Sequence, residues 1–154
     1  MKIKEFNNLI LIWGLLSKES LKLFKGRTVL VAENRPFLYG LKHNIPLLKE
    51  HNIPFIYCTD NMLGYLFYKN KIKKTFIFYK EKTKEGFLAP GGSLYVSLLS
   101  RLHDVPVGPF LGAKVNFGDT DIDASTLGGK EIISGDVKRW AEPSKDEVIN
   151  AEVL

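Results

Sequence analysis

Four clusters in this chain combine residue types able to hold an anion: Glu33-Asn34-Arg35, Thr59-Asp60-Asn61, Tyr79-Lys80 and Ala89-Pro90-Gly91-Gly92-Ser93. Arg35 and Lys80 carry positive charge. Gly91, Gly92 and Ser93 stand where a loop turns into a helical stretch. Backbone N–H groups at such a helix start, with glycines permitting close approach, can bind a phosphate. The candidate ligand site is therefore Arg35, Asp60, Asn61, Lys80, Gly91, Gly92 and Ser93, and its chemistry is recognition of a phosphorylated small molecule. Each group has a plainer alternative. Pro90–Ser93 can be a turn and a helix cap, and Arg35 can be held in an ion pair by Glu33 or Asp60.

Other chemistries find no support. Gly86–Ser93 comes close to the spacing of a nucleotide-binding P-loop, but Gly92 replaces its lysine and the motif begins well after a strand. No G-x-G-x-x-G follows a strand. Asp119, Asp121 and Asp123 alternate as in a calcium loop, yet Ala124 replaces the needed glycine and Lys130 the bidentate glutamate. His43, His51 and His103 have no metal-ligand spacing. No Ser-His-Asp set can be assembled. Cys58 ends an apolar run and reads as an inert core thiol. No metal or other cofactor is called for, and no catalytic residue is assigned.

These clusters sit at the ends of apolar, β-rich runs that alternate with helical patterns. Strands are expected at Leu9–Ile12, Thr28–Ala32, Phe55–Cys58 and Thr75–Phe78, with another beginning at Val105–Val107. Helices are expected at Ser17–Phe24, capped by Ser17 and stopped at Gly26, and at Asn44–His51, with Pro46 in its first turn. Two more follow: Asp60 to about Lys69, capped by Asp60, and Ser93–His103 with Leu94, Leu98, Leu99 and Leu102 on its apolar side. Continuous apolar strands alternating with helices predict an α/β fold, with a mainly parallel sheet covered on both faces. In such sheets ligands bind beyond the strand C-termini, which is where the four clusters fall.

The chain has 154 residues, 45% apolar and 25% charged, enough for one domain with a real core. A single Cys rules out a disulfide framework or a multi-thiolate zinc site. The apolar run Leu9–Leu16 is too short to span a membrane, and no cleavage-site pattern follows it. A cytoplasmic protein without membrane association is expected. The net charge of +5 divides unevenly: residues 116–154 carry nine acids and four bases (−5), and the remainder carries +10. Residues 1–110 read as the α/β domain, and 111–154 as a loop-rich acidic C-terminal extension packing on it. Seven lysines between Lys69 and Lys84 offer a weak nucleic-acid signal. A solvated surface, or protection of a sheet edge, explains them equally simply.

Glu33-Asn34-Arg35-Pro36-Phe37-Leu38-Tyr39-Gly40, then Ile53-Pro54, then Thr59-Asp60-Asn61-Met62 resembles the C-terminal domain of the initiation factor 2B α/β/δ superfamily. That superfamily also holds methylthioribose-1-phosphate and ribose-1,5-bisphosphate isomerases. Its last motif, an aromatic entering an apolar helix and then H-x-x-P, is matched by Tyr95, the helix to His103, and Pro106. The resemblance runs from about Leu9 to Phe110, and weakly to Asp146–Val153. It implies a Rossmann-like three-layer sandwich and homodimerisation, for which Tyr65, Tyr68 and Tyr79 would suit an interface.

The departures bear on activity. Matching Ile10–Gly14 to the family's first strand puts Gly14 where the isomerases carry a catalytic cysteine. Lys80 falls on the position of their catalytic aspartate, Pro90 and Gly91 on an Asn-Lys pair, and Tyr39 on a frequent glutamine. The family's N-terminal helical domain is expected to be missing, since the resemblance begins at about Leu9. Aldose–ketose isomerisation needs a positioned acid/base pair, so the expectation leans away from an enzyme. A non-catalytic domain is expected, binding a phosphorylated small molecule or a protein partner in a regulatory role. The alternatives are an isomerase with rebuilt catalytic residues, or a nucleic-acid or translation-associated binding protein.

Overall fold

The computed structural model describes residues 5–35, 37–115 and 146–150, the last stretch as backbone and the Ile149 side chain. The acidic residues Asp119, Asp121 and Asp123, and Ala151–Val153 of the weak tail match, lie outside the described residues.

Five parallel strands form the central sheet: β1 (Leu9–Gly14), β2 (Val29–Ala32), β3 (Phe55–Cys58), β4 (Ile72–Tyr79) and β7 (Val107–Leu111). Their order is β3-β2-β1-β4-β7. The chain steps outward from β1 to β3, then returns to the other side of β1 as β4. The point of reversal lies between β1 and β4, whose C-terminal ends therefore flank the crevice that such sheets offer to ligands. One edge of the sheet is β3; the other is β7, with Pro109 in its middle.

The two faces follow from strand alternation. Ile10 and Ile12 point to one side, where the 3-10 helix Lys18–Phe24 and helix α1 (Ile45–Glu50) bring Leu21, Phe24, Leu47 and Leu48. Leu9, Leu11 and Trp13 point to the other, where α2 (Leu63–Tyr68) and α3 (Ser93–Leu102) bring Leu63, Leu66, Phe67 and Val96. A π-turn, Gly40–Asn44, leads directly into α1 and its early Pro46. The result is the expected α/β sandwich with a mainly parallel sheet.

A second sheet goes beyond the expected strands. β5 (Glu81–Lys82), β6 (Gly86–Pro90) and β8 (Asp146–Asn150) form a three-stranded antiparallel sheet in the order β5-β6-β8. Ile149 on β8 is fully buried in the cluster that holds Trp13 and Val96. The backbone N–H of Lys80 donates to Leu88 O at 2.7 Å, so the hairpin begins directly at the end of β4.

Helix α3 is turned over relative to the expectation. Its buried face is Ser93, Val96, Ser97 and Ser100, not the leucine stripe. Leu94, Leu98 and Leu102 are 41, 51 and 74% exposed, and only Leu99 packs partly on the core. Serines allow the helix axis close to the sheet, and their hydroxyls are satisfied there. Ser97 Oγ donates to Ser93 O at 2.8 Å, and Ser100 Oγ lies 2.9 Å from Thr75 Oγ1 on β4. The i−4 carbonyl is the ordinary outlet for a serine inside a helix.

Candidate functional site

The strand ends are held by two asparagines and one aspartate. Asn34 follows β2 in a left-handed conformation (φ 58°), which asparagine tolerates better than most residues. This aims its Oδ1 at Gly14 N, which donates to it at 2.6 Å. Asn44 reaches the same loop from the π-turn: its Nδ2 donates to Gly14 O at 2.8 Å and its Oδ1 accepts from Leu16 N at 2.9 Å. Gly14 itself has φ 96°, and a Cβ placed on it would lie 2.5 Å from Phe78 O and 3.1 Å from Phe78 Cβ. The end of β1 is thus pressed onto β4 at the point of reversal, with no space for a side chain at Gly14.

Asp60 is brought beside Arg35, and its carboxylate does not serve as the helix cap expected of it. Its Oδ1 accepts from Asn34 N at 2.7 Å and its Oδ2 from Arg35 N at 2.8 Å, while its own N–H donates to Glu33 Oε2 at 3.2 Å. The carboxylate ties the turn after β2 to the end of β3; it does not cap the helix that follows. The 3-10 turn Asp60–Met62 starts from Thr59 with no side-chain cap. Burial pushes the Asp60 carboxyl above its ordinary range, against the lowering effect of those two N–H donors. The Arg35 guanidinium is exposed at the rim, its Nε 3.5 Å from Glu33 Oε1. Asn61 is exposed, its Oδ1 accepting from Thr59 Oγ1 at 2.7 Å.

Two tyrosines belong to the same neighbourhood: Tyr57, which sequence reasoning passed over, and Tyr95, which it noted only as a motif match. Tyr57 lies beside Glu33; partial burial, first, and the Glu33 charge push its phenol up to about 12. Tyr95, in the first turn of α3, is raised by burial and by the charge of Asp60. Alternation along β3 could have drawn attention to Tyr57, since it flanks Cys58 on an edge strand. Cys58 is half-buried, and burial followed by the Asp60 and Glu33 charges pushes its thiol up to about 12.

The glycine loop closes onto β1. Trp13 Nε1 donates to Gly91 O at 3.2 Å. Gly92 has φ 89°, and any Cβ there would overlap the Trp13 ring. Ser93 is fully buried, its hydroxyl donating to Pro90 O at 2.5 Å. Gly91, Gly92 and Ser93 therefore stand at the same end of the sheet as Gly14, Arg35 and Asp60, but Ser93 is committed to its own turn. Lys80 marks the far side, where β4 passes into the β5–β6 hairpin. Among the described residues no group of three or more His, Cys, Asp or Glu could hold a metal ion. No helix among them is long and apolar enough to cross a membrane.

Residues 12–111 match the model of the "Initiation factor 2 subunit family". A methylthioribose-1-phosphate isomerase of Oleidesulfovibrio alaskensis is 31% identical over 108 residues, covering 70% of this chain and 29% of that protein. A second, from Nitratidesulfovibrio vulgaris, is 34% identical over 80 residues, 51% of this chain and 23% of that protein. The chain thus spans less than a third of the length of these relatives. In fold it is similar to 5-methylthioribose 1-phosphate isomerase from Pyrococcus horikoshii OT3. That match has a TM-score of 0.71 and 14% identity, and covers 97% of this chain and 49% of that one. The delta subunit of translation initiation factor eIF-2B from A. fulgidus superposes with a TM-score of 0.60 at 17% identity, over 69% of this chain and 36% of that one.

Proposed function

This chain belongs to the initiation factor 2 subunit family, and from that premise we propose that it is a non-catalytic member, a regulatory binding domain in place of an isomerase. The observation that carries the reading is Gly14. The position matching the isomerases' catalytic cysteine has a left-handed backbone pinned by Asn34 and Asn44, and a Cβ there would sit 2.5 Å from Phe78 O. A thiol cannot be presented from that backbone without parting β1 from β4. Lys80 on the aspartate position removes the second member of an acid/base pair.

The ligand is a phosphorylated small molecule, a sugar phosphate or nucleotide, held at the strand ends by Arg35 and the start of α3. The second element of the reading is self-association through α3. Leu94, Tyr95, Leu98 and Leu102 present an apolar stripe, each more than 40% exposed. An apolar patch framed by polar surface is the usual mark of a protein contact. Nucleic-acid binding has less in its favour. The lysines form two groups along β4: Lys69 and Lys71 precede it, Lys73 and Lys74 lie at its start, and Lys80, Lys82 and Lys84 follow it. Lys74 and Lys80, the nearest members of the two groups, are separated by about 20 Å of strand.

Purified protein incubated with methylthioribose 1-phosphate should give no ketose product above background; sustained turnover would overturn the non-catalytic reading. Thermal stabilisation by a sugar phosphate or nucleotide, lost in Arg35→Ala, is expected for the ligand site. A panel with no stabilising member would defeat that part.

A further inference from the structure

Beside the strand-end site lies a separate apolar cavity of about 260 Å³. It exists because α2 is only six residues long. Leu63, Leu66 and Phe67 cover the middle of the sheet, and the edge strand β3 is left partly uncovered, with Ile56 and Cys58 half-exposed to the space. Leu9 and Leu30 form the floor, Leu66 and Met62 the helical wall, and Phe6 closes the end near the start of β1.

The cavity is not uniform along its length. Among the described residues, Lys71 is the one charged group in its lining. It stands at the Phe6 end, where Leu9 N donates to Lys71 O at 2.9 Å. Its ammonium donates to Asn7 Oδ1 at 2.9 Å, and a lysine ammonium carries two further donors. At the opposite end Tyr57 and Thr59 mark the end of β3. From the start of β1 to the end of β3 the parallel register gives a length of about 13 Å. A site of this kind, apolar walls with one polar anchor, is the usual design for a small amphipathic ligand.

We infer that this cavity binds a small monocarboxylate with an extended apolar tail, the tail between α2 and β3 and the carboxylate on Lys71. Charge complementarity selects the occupant: one lysine in an apolar lining matches one negative charge, and an apolar channel has nothing to offer a multiply charged sugar phosphate. The site uses none of Arg35, Gly91, Gly92 or Ser93; its Tyr57 and Thr59 end borders the strand-end cleft, and its Lys71 end lies at the opposite end of the strands.

Octanoate is the probe, with octanol as its uncharged counterpart, titrated calorimetrically into the full chain. Saturable one-to-one octanoate binding is expected. Lys71→Gln should weaken octanoate about tenfold while leaving octanol unchanged. Ile56→Trp fills the cavity from the strand side and Met62→Trp from the helix side; each should abolish binding of both compounds with an unchanged urea midpoint. Should one variant fail to fold, the other reads the same cavity. The inference fails if octanoate shows no saturable heat up to about 5 mM, or if neither tryptophan affects it. It fails equally if octanol binds as octanoate does and Lys71→Gln changes neither. Absence of octanoate binding together with a dimer that Ile56→Trp dissociates would mean that a second copy of the chain fills the groove.

Discussion

Replacing Gly14 by alanine should be among the most damaging single-methyl changes this chain can suffer. The new Cβ meets Phe78 O at 2.5 Å and Phe78 Cβ at 3.1 Å, both backbone or backbone-proximal and unable to swing away. Overpacking of this kind costs about 1–3 kcal/mol. The φ of 96° adds about 1–2 kcal/mol for a residue with a Cβ. Relief by moving the backbone stretches the bonds to Asn34 and Asn44, each worth about 1 kcal/mol. A loss of about 3–5 kcal/mol follows, which is a lowering of Tm by about 6–20 °C for a chain of this size. Gly26 supplies the control. It has φ 72°, and a Cβ there meets nothing within 4 Å, so Gly26→Ala bears the conformational cost without the clash. Urea unfolding of both variants, followed by circular dichroism, isolates the steric part as their difference. If Gly14→Ala lies within about 0.5 kcal/mol of Gly26→Ala, the β1–β4 closure is not what holds the strand end. The case against a catalytic side chain there would then lose its footing. Gly14→Cys should be equally destabilised and should not gain isomerase turnover.

Asn44→Ala leaves Leu16 N and Gly14 O unpartnered in the interior, and a loss of about 2–4 kcal/mol in chemical unfolding is expected. A double substitution Leu98→Glu and Leu102→Glu alters side chains 51 and 74% exposed; stability should stay within about 0.5 kcal/mol while light scattering shifts to the monomer mass. An unchanged oligomer would remove α3 from the contact. The Cys58 thiol, raised from 9.0 to about 12, should alkylate with iodoacetamide at a rate still climbing above pH 9. A plateau near pH 9 would contradict the burial argument. The sign for stability follows: the folded chain holds this proton more tightly than the unfolded one, so stability falls as pH rises from about 9 toward about 12.

Much of this arrangement could be read from residue patterns. Continuous apolar runs mark β1 to β4 because a parallel strand buried on both faces needs no alternation. Asn34, Arg35 and Asp60 gather at one sheet end because strand polarity puts every C-terminus there. The readings that failed did so for definite reasons. The α3 leucines look like a core stripe because period and hydrophobicity coincide, yet Thr75 on β4 and the close approach of the helix demand Ser93, Ser97 and Ser100 underneath. Asp60 looks like a helix cap because it precedes an apolar period, but the N–H groups of Asn34 and Arg35, distant in sequence, take its oxygens. Tyr79, which suits an interface by type, packs on Phe87 of the hairpin with ring centroids 4.7 Å apart and planes tilted by 41°. The hairpin itself is hidden by the charged run Lys80–Glu85. Its signal is Gly86 after Thr83, whose Oγ1 accepts from Gly86 N at 3.0 Å to close the turn. β3 looks fully buried by composition; only its place at the sheet edge leaves Tyr57 exposed and Cys58 in contact with an open cavity.

Pro109, in the middle of β7, has a consequence for how the sheet ends. Proline is accepted in a sheet where its nitrogen faces away from the neighbouring strand, and among the described residues β7 has β4 on one side only. A foreign strand laid along β7 would find a donor missing halfway along a five-residue edge. That edge is therefore a poor template for runaway pairing between partly unfolded copies. β3 has no proline, and its protection from the same fate must come from what covers its side chains, not from its backbone. Growth of the sheet, whether by a legitimate partner or by aggregation, is directed to the β3 side.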